Sequence, residues 1–318
     1  MTLNMRNCIP LISYCLIFFI CDLGFAAKEK AFFISHAGAG DPFWNVEFKG
    51  AKQAAKDLQL DLQIMAPEKP NDIARQVQIL KAAIASKPDG IAISITDNQA
   101  FSESLKLAKE QGINVIAFNS QPSPSFRDKN PFSAFVGMDE FKAGQNAAKK
   151  ALELGAIKKK VVFAIHQAGH IGLEKRYAGI KDILDKHKIE VDKLEVGDDA
   201  SRAQVIFSGY LNRNPEVTGV FCAGPAALHP IGRYLQQKNK SMFVASFDLS
   251  ALTLHFIKED IVSYTVDQQP YMQGYLSVVQ LALASRAMLT PSSVDTGVGI
   301  VDKAKVSGIT KLVKEGKR

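Results

Sequence analysis

Short β-rich runs alternate with stretches of helical periodicity along this 318-residue chain, and the series runs through twice. A first strand over 31–35 leads into Trp44, Phe48, Ala51, Ala55 and Leu58, which recur at the spacing of one helix face. A strand over 60–65 follows, then a helix with Ile73, Val77, Leu80 and Ile84 on one side, stopped near Pro88-Asp89-Gly90. The run 91–95 is almost continuously apolar, as a strand covered by helices on both faces should be. A helix carrying Phe101, Leu105 and Ala108 and a strand over 115–118 complete the first half. Residues 121–133 break the rhythm with prolines, serines and charges, and read as a loop leading to a domain crossing. The second half predicts strands over 161–165, 189–196, 217–222, 243–247 and 262–266, with helices near 139–155, 172–187, 202–213, 225–238, 250–258 and 270–287. This order predicts an α/β fold of two doubly wound lobes built on mostly parallel sheets.

In such sheets ligands bind beyond the carboxyl ends of the strands. In the first half those positions hold Asp41, Phe43 and Trp44, then Ser94 and Asp97, then Asn119. In the second they hold His166 and Gln167, Gly224, Asp248, and Asp267-Gln268-Gln269, with Arg176 in the helix region after His166. This chemistry suits a neutral polyhydroxylated molecule. Carboxylates accept hydroxyl protons, Arg and amides donate to hydroxyl and ring oxygens, and aromatic faces cover the C–H faces of a sugar. Plainer roles exist for the same residues: Phe43 and Trp44 as core anchors of the first helix, Asp248 as a helix N-cap, and Arg176 as a surface residue paired with a carboxylate.

Composition removes several function classes. The apolar stretch 9–25 follows Arg6, has a core over 9–20 that is short for a membrane span, contains Asp22 and leads into the small-x-small pair Gly24 and Ala26. It reads as a secretory leader cleaved near Ala26 or Ala27, which places a soluble protein in the periplasm. Cys8, Cys15 and Cys21 leave with it, so Cys222 alone remains; no intramolecular disulfide is possible, and Cys222 reads as a buried strand residue. The net charge of +7 is spread along the chain, and its densest run, Lys158-Lys159-Lys160, lacks interleaved aromatics. That run reads as a solvated loop and not as a nucleic-acid surface. Gly38-x-Gly40 opens a dinucleotide fingerprint, but Phe43 stands at its third glycine, so no cofactor is expected. His166 and His170 have a zinc-ligand spacing without a Glu at 167, so no metal is expected either. No nucleophile–base pair is visible, so no catalytic residue is assigned and the chain does not read as an enzyme.

Several segments, taken in order, carry a family likeness. They are Asp41-Pro42-Phe43-Trp44, Pro88-Asp89-Gly90-Ile91 through Thr96-Asp97, and Val115-Ile116-Ala117-Phe118-Asn119. Further on come Val136-Gly137-Met138-Asp139-Glu140 with Ala143-Gly144, and Gly172-Leu173-Glu174-Lys175-Arg176-Tyr177-Ala178-Gly179. Phe247-Asp248 and Asp267-Gln268-Gln269-Pro270-Tyr271-Met272-Gln273-Gly274-Tyr275 complete the set. Together they resemble the type I periplasmic sugar-binding proteins of the ribose and galactose group, the substrate-binding proteins of ABC importers.

That resemblance implies a two-lobed clamp joined by a three-crossing hinge near Met138, Gln268 and Thr296. After a signal peptide over 1–27, it divides the chain into lobe one, 28–138 plus 269–296, and lobe two, 139–268 plus 297–318. A sugar or polyol is held in the cleft, and the closed form docks on an ABC importer permease or a chemoreceptor; a monomer is expected. Asp41, Phe43, Trp44, Ser94 and Asn119 would meet the ligand from lobe one, Arg176 and Asp248 from lobe two, and Gln268 at the hinge. Gly224 stands where ribose binders place an Asn, Ala200 near where they place an aromatic, and Asn119 replaces the commoner Asp. Another pentose or hexose, an alditol or an inositol is therefore expected ahead of ribose. The competing function for the same fold is a sensor that presents a ligand, such as an autoinducer-2-like furanone, to a chemoreceptor or sensor kinase.

Overall fold

The computed structural model describes residues 28–38, 40, 42–120, 122 and 132–318. The leader expected over 1–27, Asp41 and most of the loop expected over 121–133 lie outside the described residues.

The chain opens with β1 (Lys30–Ile34), α1 (Pro42–Asp57), β2 (Asp61–Met65), α2 (Ile73–Ala85), β3 (Gly90–Ser94), α3 (Asn98–Glu110), β4 (Asn114–Phe118) and β5 (Ala134–Gly137). The series restarts with α4 (Glu140–Glu153), β6 (Lys160–Ile165), α5 (Ile171–Lys186), β7 (Glu190–Glu195), α6 (Ala200–Arg213), β8 (Val217–Cys222) and α7 (Pro225–Gln237). It continues through β9 (Phe243–Phe247), α8 (Ala251–Lys258) and β10 (Tyr264–Asp267), and ends with α9 (Pro270–Ala287), β11 (Val294–Asp295), β12 (Gly299–Asp302) and α10 (Lys303–Lys314).

Among the described residues two six-stranded sheets result, ordered β2-β1-β3-β4-β5-β11 and β7-β6-β8-β9-β10-β12. All their pairings are parallel except β12 against β10. Strand order reverses beside β1 in one sheet and beside β6 in the other. Those are the topological switch points, where the loops leaving adjacent strands part and open a crevice.

Strand residues alternate between the two helical layers, as the two-residue period of a strand requires. Phe32, Ile34, Ile91 and Ile93 pack under α2 and α3, while Phe33, Ala92, Ile116 and Phe118 pack under α1 and α9. In the second sheet Val161, Phe163 and Ile165 face α4 and α5, and Val162, Ala164 and Val244 face α6, α7, α8 and α10. Cys222 lies buried in this second core, where burial pushes its thiol pKa up. Among the described residues no helix is long and apolar enough to cross a membrane.

The chain passes between the sheets between β5 and α4, between β10 and α9, and between β11 and β12. One close approach positions a site residue. A Cβ on Gly144 of α4 would strike the backbone carbonyl of Arg176, and one on Gly179 of α5 would strike that of Phe141. Glycine at both positions lets α4 and α5 lie backbone to backbone, which brings Glu140 against Arg176. The strand expected over 262–266 begins later, at Tyr264, because the Ile261 and Val262 amides still donate to Phe256 and finish the preceding turn.

Candidate functional site

The site forms where the carboxyl ends of the two sheets face each other. His36, two residues beyond β1, and Phe43 and Trp44, in the first turn of α1, come from the first switch point. All three are buried, and the His36 ring meets the Trp44 ring edge-on at 4.7 Å. Phe43 and Trp44 belong to the core under α1 and also line the cavity, so the core-anchor and wall readings both hold. Ser94, at the end of β3, is fully buried and does not reach the cavity wall. It sits behind His36, 3.0 Å from Nδ1, and Gln76 Nε2 donates to its carbonyl at 2.9 Å. Its structural role is to orient an imidazole.

From the second sheet come His166 and His170 beyond β6, Ala223-Gly224-Pro225 beyond β8, and Asp248 beyond β9; Glu140 of α4 and Arg176 of α5 close the floor. Arg176 is buried and paired, not a surface residue. Its Nε and Nη2 donate to Glu140 at 2.5 and 3.0 Å, its Nη1 donates to the Ala223 carbonyl at 2.6 Å, and its plane lies 4.6 Å over the Phe247 ring. Nη1 also stands 3.6 Å from Asp248 Oδ2. Burial disfavours the guanidinium charge, but the Glu140 and Asp248 carboxylates outweigh it and raise the Arg176 pKa. Burial raises the Glu140 carboxyl, with Arg176 opposing it. The N-cap of α8 is Ser250, not Asp248.

Asn119 and Asp248 occupy matching places in the two lobes. Each follows its strand with a left-handed backbone, φ 59° and 69°, and each donates its amide to the neighbouring strand, to Val136 and Val266. Asx residues tolerate this conformation better than other non-glycines, and a non-glycine held there commonly marks a site. Gln268 joins them: its Nε2 donates to Asp248 Oδ1 at 2.6 Å, and its Oε1 accepts from Asn119 Nδ2 at 3.3 Å. Gln273 Oε1 accepts from the same Nδ2 at 3.3 Å. An ionised carboxylate only accepts, so it fixes which way the Gln268 amide points. Gln268 then presents oxygen to Asn119, which must turn its nitrogen inward and leave Oδ1 as an acceptor. The polarity of the whole line is thus set by Asp248.

Three imidazoles share the space. Burial, reinforced by His166, lowers the His36 pKa to about 3. Burial and the Arg176 charge lower His166 to about 4. Burial, His36 and Arg176 hold His170 well below the ordinary range. All three are neutral at pH 7. His170 caps α5 through Nδ1, and among the described residues no group of three His, Cys, Asp or Glu is placed to hold a metal ion.

The predicted site residues therefore converge: Phe43, Trp44, Asn119, Asp248 and Gln268 from strand ends and Arg176 from a helix line one cavity of about 40 Å³, while Ser94 stands behind it and Asp41 lies outside the described residues. Through His166, Gln167 and Pro225 this cavity continues into a wider one of about 460 Å³ at the mouth, whose wall includes Gly38, Pro42, Asp198 and Ala200. Sequence reasoning missed His36 and the roles of Glu140 and His170. The switch-point rule would have found His36, as the first titratable side chain after β1. Glu140 carries no local signal, because its partner lies 36 residues away on another helix.

Comparison with known proteins places this geometry among relatives. The family model for the periplasmic binding protein domain matches residues 32–287. A xylose/arabinose-binding protein of Sulfolobus acidocaldarius is 26% identical over 291 residues, 87% of this chain and 72% of that protein. A ribose import binding protein of Bacillus subtilis is 23% identical over 250 residues, 79% of this chain and 80% of that one. Among solved structures, a periplasmic sugar-binding protein of an ABC sugar transporter from Legionella pneumophila has a TM-score of 0.81 at 40% identity, covering 85% of this chain and 100% of that one. A carbohydrate transporter protein from Acidothermus cellulolyticus, in complex with myo-inositol, has a TM-score of 0.82 at 27% identity, covering 92% and 100%.

Proposed function

Because this chain belongs to the periplasmic binding protein family, we propose that it captures a neutral sugar or polyol between its lobes and delivers it to an ABC importer permease. The observation that carries the reading is the fixed polarity of Asp248, Gln268 and Asn119. It turns Asn119 Oδ1 and Asp248 Oδ2 toward a cavity walled by Phe43 and Trp44, so hydroxyl groups meet acceptors while C–H faces meet aromatic rings. Glu140 already neutralises Arg176, so among the described residues the site offers no unpaired Lys or Arg to an anionic sugar. The names of the Sulfolobus and Legionella proteins, and the inositol bound to the Acidothermus protein, support the same ligand class.

The inner cavity has room for only a few water molecules, so the ligand enters with the lobes further apart. Lobe one, 28–138 plus 269–296, and lobe two, 139–268 plus 297–318, swing about the three crossings, and ligand contacts to both favour closure. The leader over 1–27 exports the chain to the periplasm, where it works as a monomer and releases its ligand unchanged. Within the cleft Asp41, Phe43, Trp44, Asn119, Arg176, Asp248 and Gln268 meet the ligand, and Ser94 acts through His36.

A thermal-shift panel of pentoses, hexoses, alditols, inositols and uronates tests this. At least one neutral compound should raise the melting temperature, with about 2.7 kcal/mol of stabilisation at a hundredfold excess over Kd. The matching uronates should not. A panel in which no neutral compound stabilises the protein, or in which the uronates do so best, rejects the reading.

A further inference from the structure

His36 belongs to the first sheet and His170 to the second, yet their Nε2 atoms lie 3.1 Å apart across the cleft. The hydrogen bonds around them settle where the protons are. Gly172 and Leu173 backbone N–H groups donate to His170 Nδ1 at 3.0 and 3.4 Å, so that nitrogen is bare and the proton sits on Nε2. His170 Nε2–H therefore donates to His36 Nε2, with Ser120 Oγ of lobe one 3.3 Å from the same atom. His36 must then carry its proton on Nδ1, where Ser94 Oγ accepts it at 3.0 Å.

We propose that His36 and His170 are a positioning pair, a latch that holds the two lobes closed only while both imidazoles are neutral. A second proton on His36 would sit on Nε2 and face the His170 N–H. A second proton on His170 would sit on Nδ1 and face the Gly172 and Leu173 N–H groups. Either one breaks the bridge.

The surroundings act in the same direction. Trp44 of α1 covers His36 edge-on, while His166 beyond β6 and Arg176 of α5 line the same cavity and oppose further positive charge. Glu140 of α4 is engaged by Arg176 Nε and Nη2, and Asp248 beyond β9 by Gln268 at Oδ1 with Arg176 Nη1 3.6 Å from Oδ2, so both carboxylates are committed first to these partners. The depressed pKa values agree. In the open form the rings return to water and to the ordinary value of 6.5. Closure then releases protons. Their contribution to closure is full above that value and is lost as pH falls through it toward the closed-state values. Between pH 7.5 and 5.5 the open-to-closed ratio rises about tenfold per histidine.

The latch rests on the two-lobed cleft described above, but it is tested without ligand, so it fails separately from the sugar panel. Small-angle scattering of the ligand-free protein at pH 7.5 and 5.5 reads the opening directly. Two variants isolate the bond. His170→Asn keeps an oxygen at the Nδ1 position to cap α5, and His36→Asn keeps a donor toward Ser94. Circular dichroism confirms that both are folded. The wild type should be more compact at pH 7.5 than at pH 5.5, while each variant at pH 7.5 should be as expanded as the wild type at pH 5.5. A wild-type radius of gyration that does not change with pH, or variants that follow the wild-type profile, overturns the latch.

Discussion

Removing Glu140 gives a sharp test of the site's electrostatics. The Arg176 and Glu140 side chains are only 4% and 2% exposed and are joined by two hydrogen bonds, at 2.5 and 3.0 Å. In Glu140→Ala the guanidinium keeps the Ala223 carbonyl and Asp248 at 3.6 Å but loses the carboxylate that neutralises it. Breaking a buried pair from one side costs about 3–5 kcal/mol, because an uncompensated charge stays behind. The remaining Asp248 contact places this case near the lower end, about 3 kcal/mol. Chemical denaturation reads this as a urea midpoint lowered by about 1 M, for a slope near 3 kcal/mol per molar. The double variant Glu140→Leu/Arg176→Met removes both charges and should return to within about 1 kcal/mol of the parent. It should nevertheless fail to bind sugar, because an acceptor and a donor have left the cleft floor. A loss below about 1 kcal/mol for Glu140→Ala, the size typical of an exposed pair, refutes the reasoning.

Three other outcomes follow from single contacts. Glu47 of α1 is fully buried, both its carboxyl oxygens lack a hydrogen-bond partner among the described residues, and burial, with Asp248 adding to it, raises its pKa well above 4.5. Glu47→Leu should therefore stabilise the fold by about 1–3 kcal/mol in calorimetry. Its advantage should widen as pH rises above the unfolded value near 4.5, because the folded parent must either hold its proton or bury a charge; a gain that is independent of pH contradicts this. Gly144→Ala forces a Cβ onto the Arg176 carbonyl and should cost about 1–3 kcal/mol by the same measurement, with parent-like stability as the contrary result. Asp248→Asn lets the Gln268 and Asn119 amides reverse and should weaken sugar binding about tenfold or more in isothermal titration. Unchanged affinity would mean that Asp248 does not set the polarity of the line.

The layers of the fold were legible because each long element repeats its period several times. The expected strands 217–222 and 243–247 match β8 and β9; Phe43, Trp44, Asn119, Asp248 and Gln268 arrive at one cavity by the strand-end rule, and Arg176 joins them from the helix after His166, where the family resemblance marks it. What went unread is short or non-local. β5, β11 and β12 have four, two and four residues, too few to show a period, and they take their identity from partners elsewhere in the sheets. α10 carries an apolar stripe at Val306, Ile309 and Val313, diluted by Gly308 and flanking lysines. Ser94 ends β3 as its spacing predicts, but the side chain that reaches the cavity from that level belongs to His36. Sequence spacing locates a strand end without showing which of two neighbouring side chains stands in front. The Glu140–Arg176 pair depends on the close packing of α4 on α5, which no local pattern announces.

Trp44 is the only tryptophan in the chain and forms part of the cavity wall, so its emission reports directly on what occupies the cleft. A fluorescence titration with pentoses, hexoses, alditols and inositols, repeated on Asp248→Ala, addresses the central claim in one measurement. Capture of a neutral polyhydroxylated ligand between the lobes predicts a saturable change with at least one of these compounds, lost or shifted by tenfold or more in the variant. A flat emission across the panel, or a response that Asp248→Ala reproduces at the same concentration, contradicts the account.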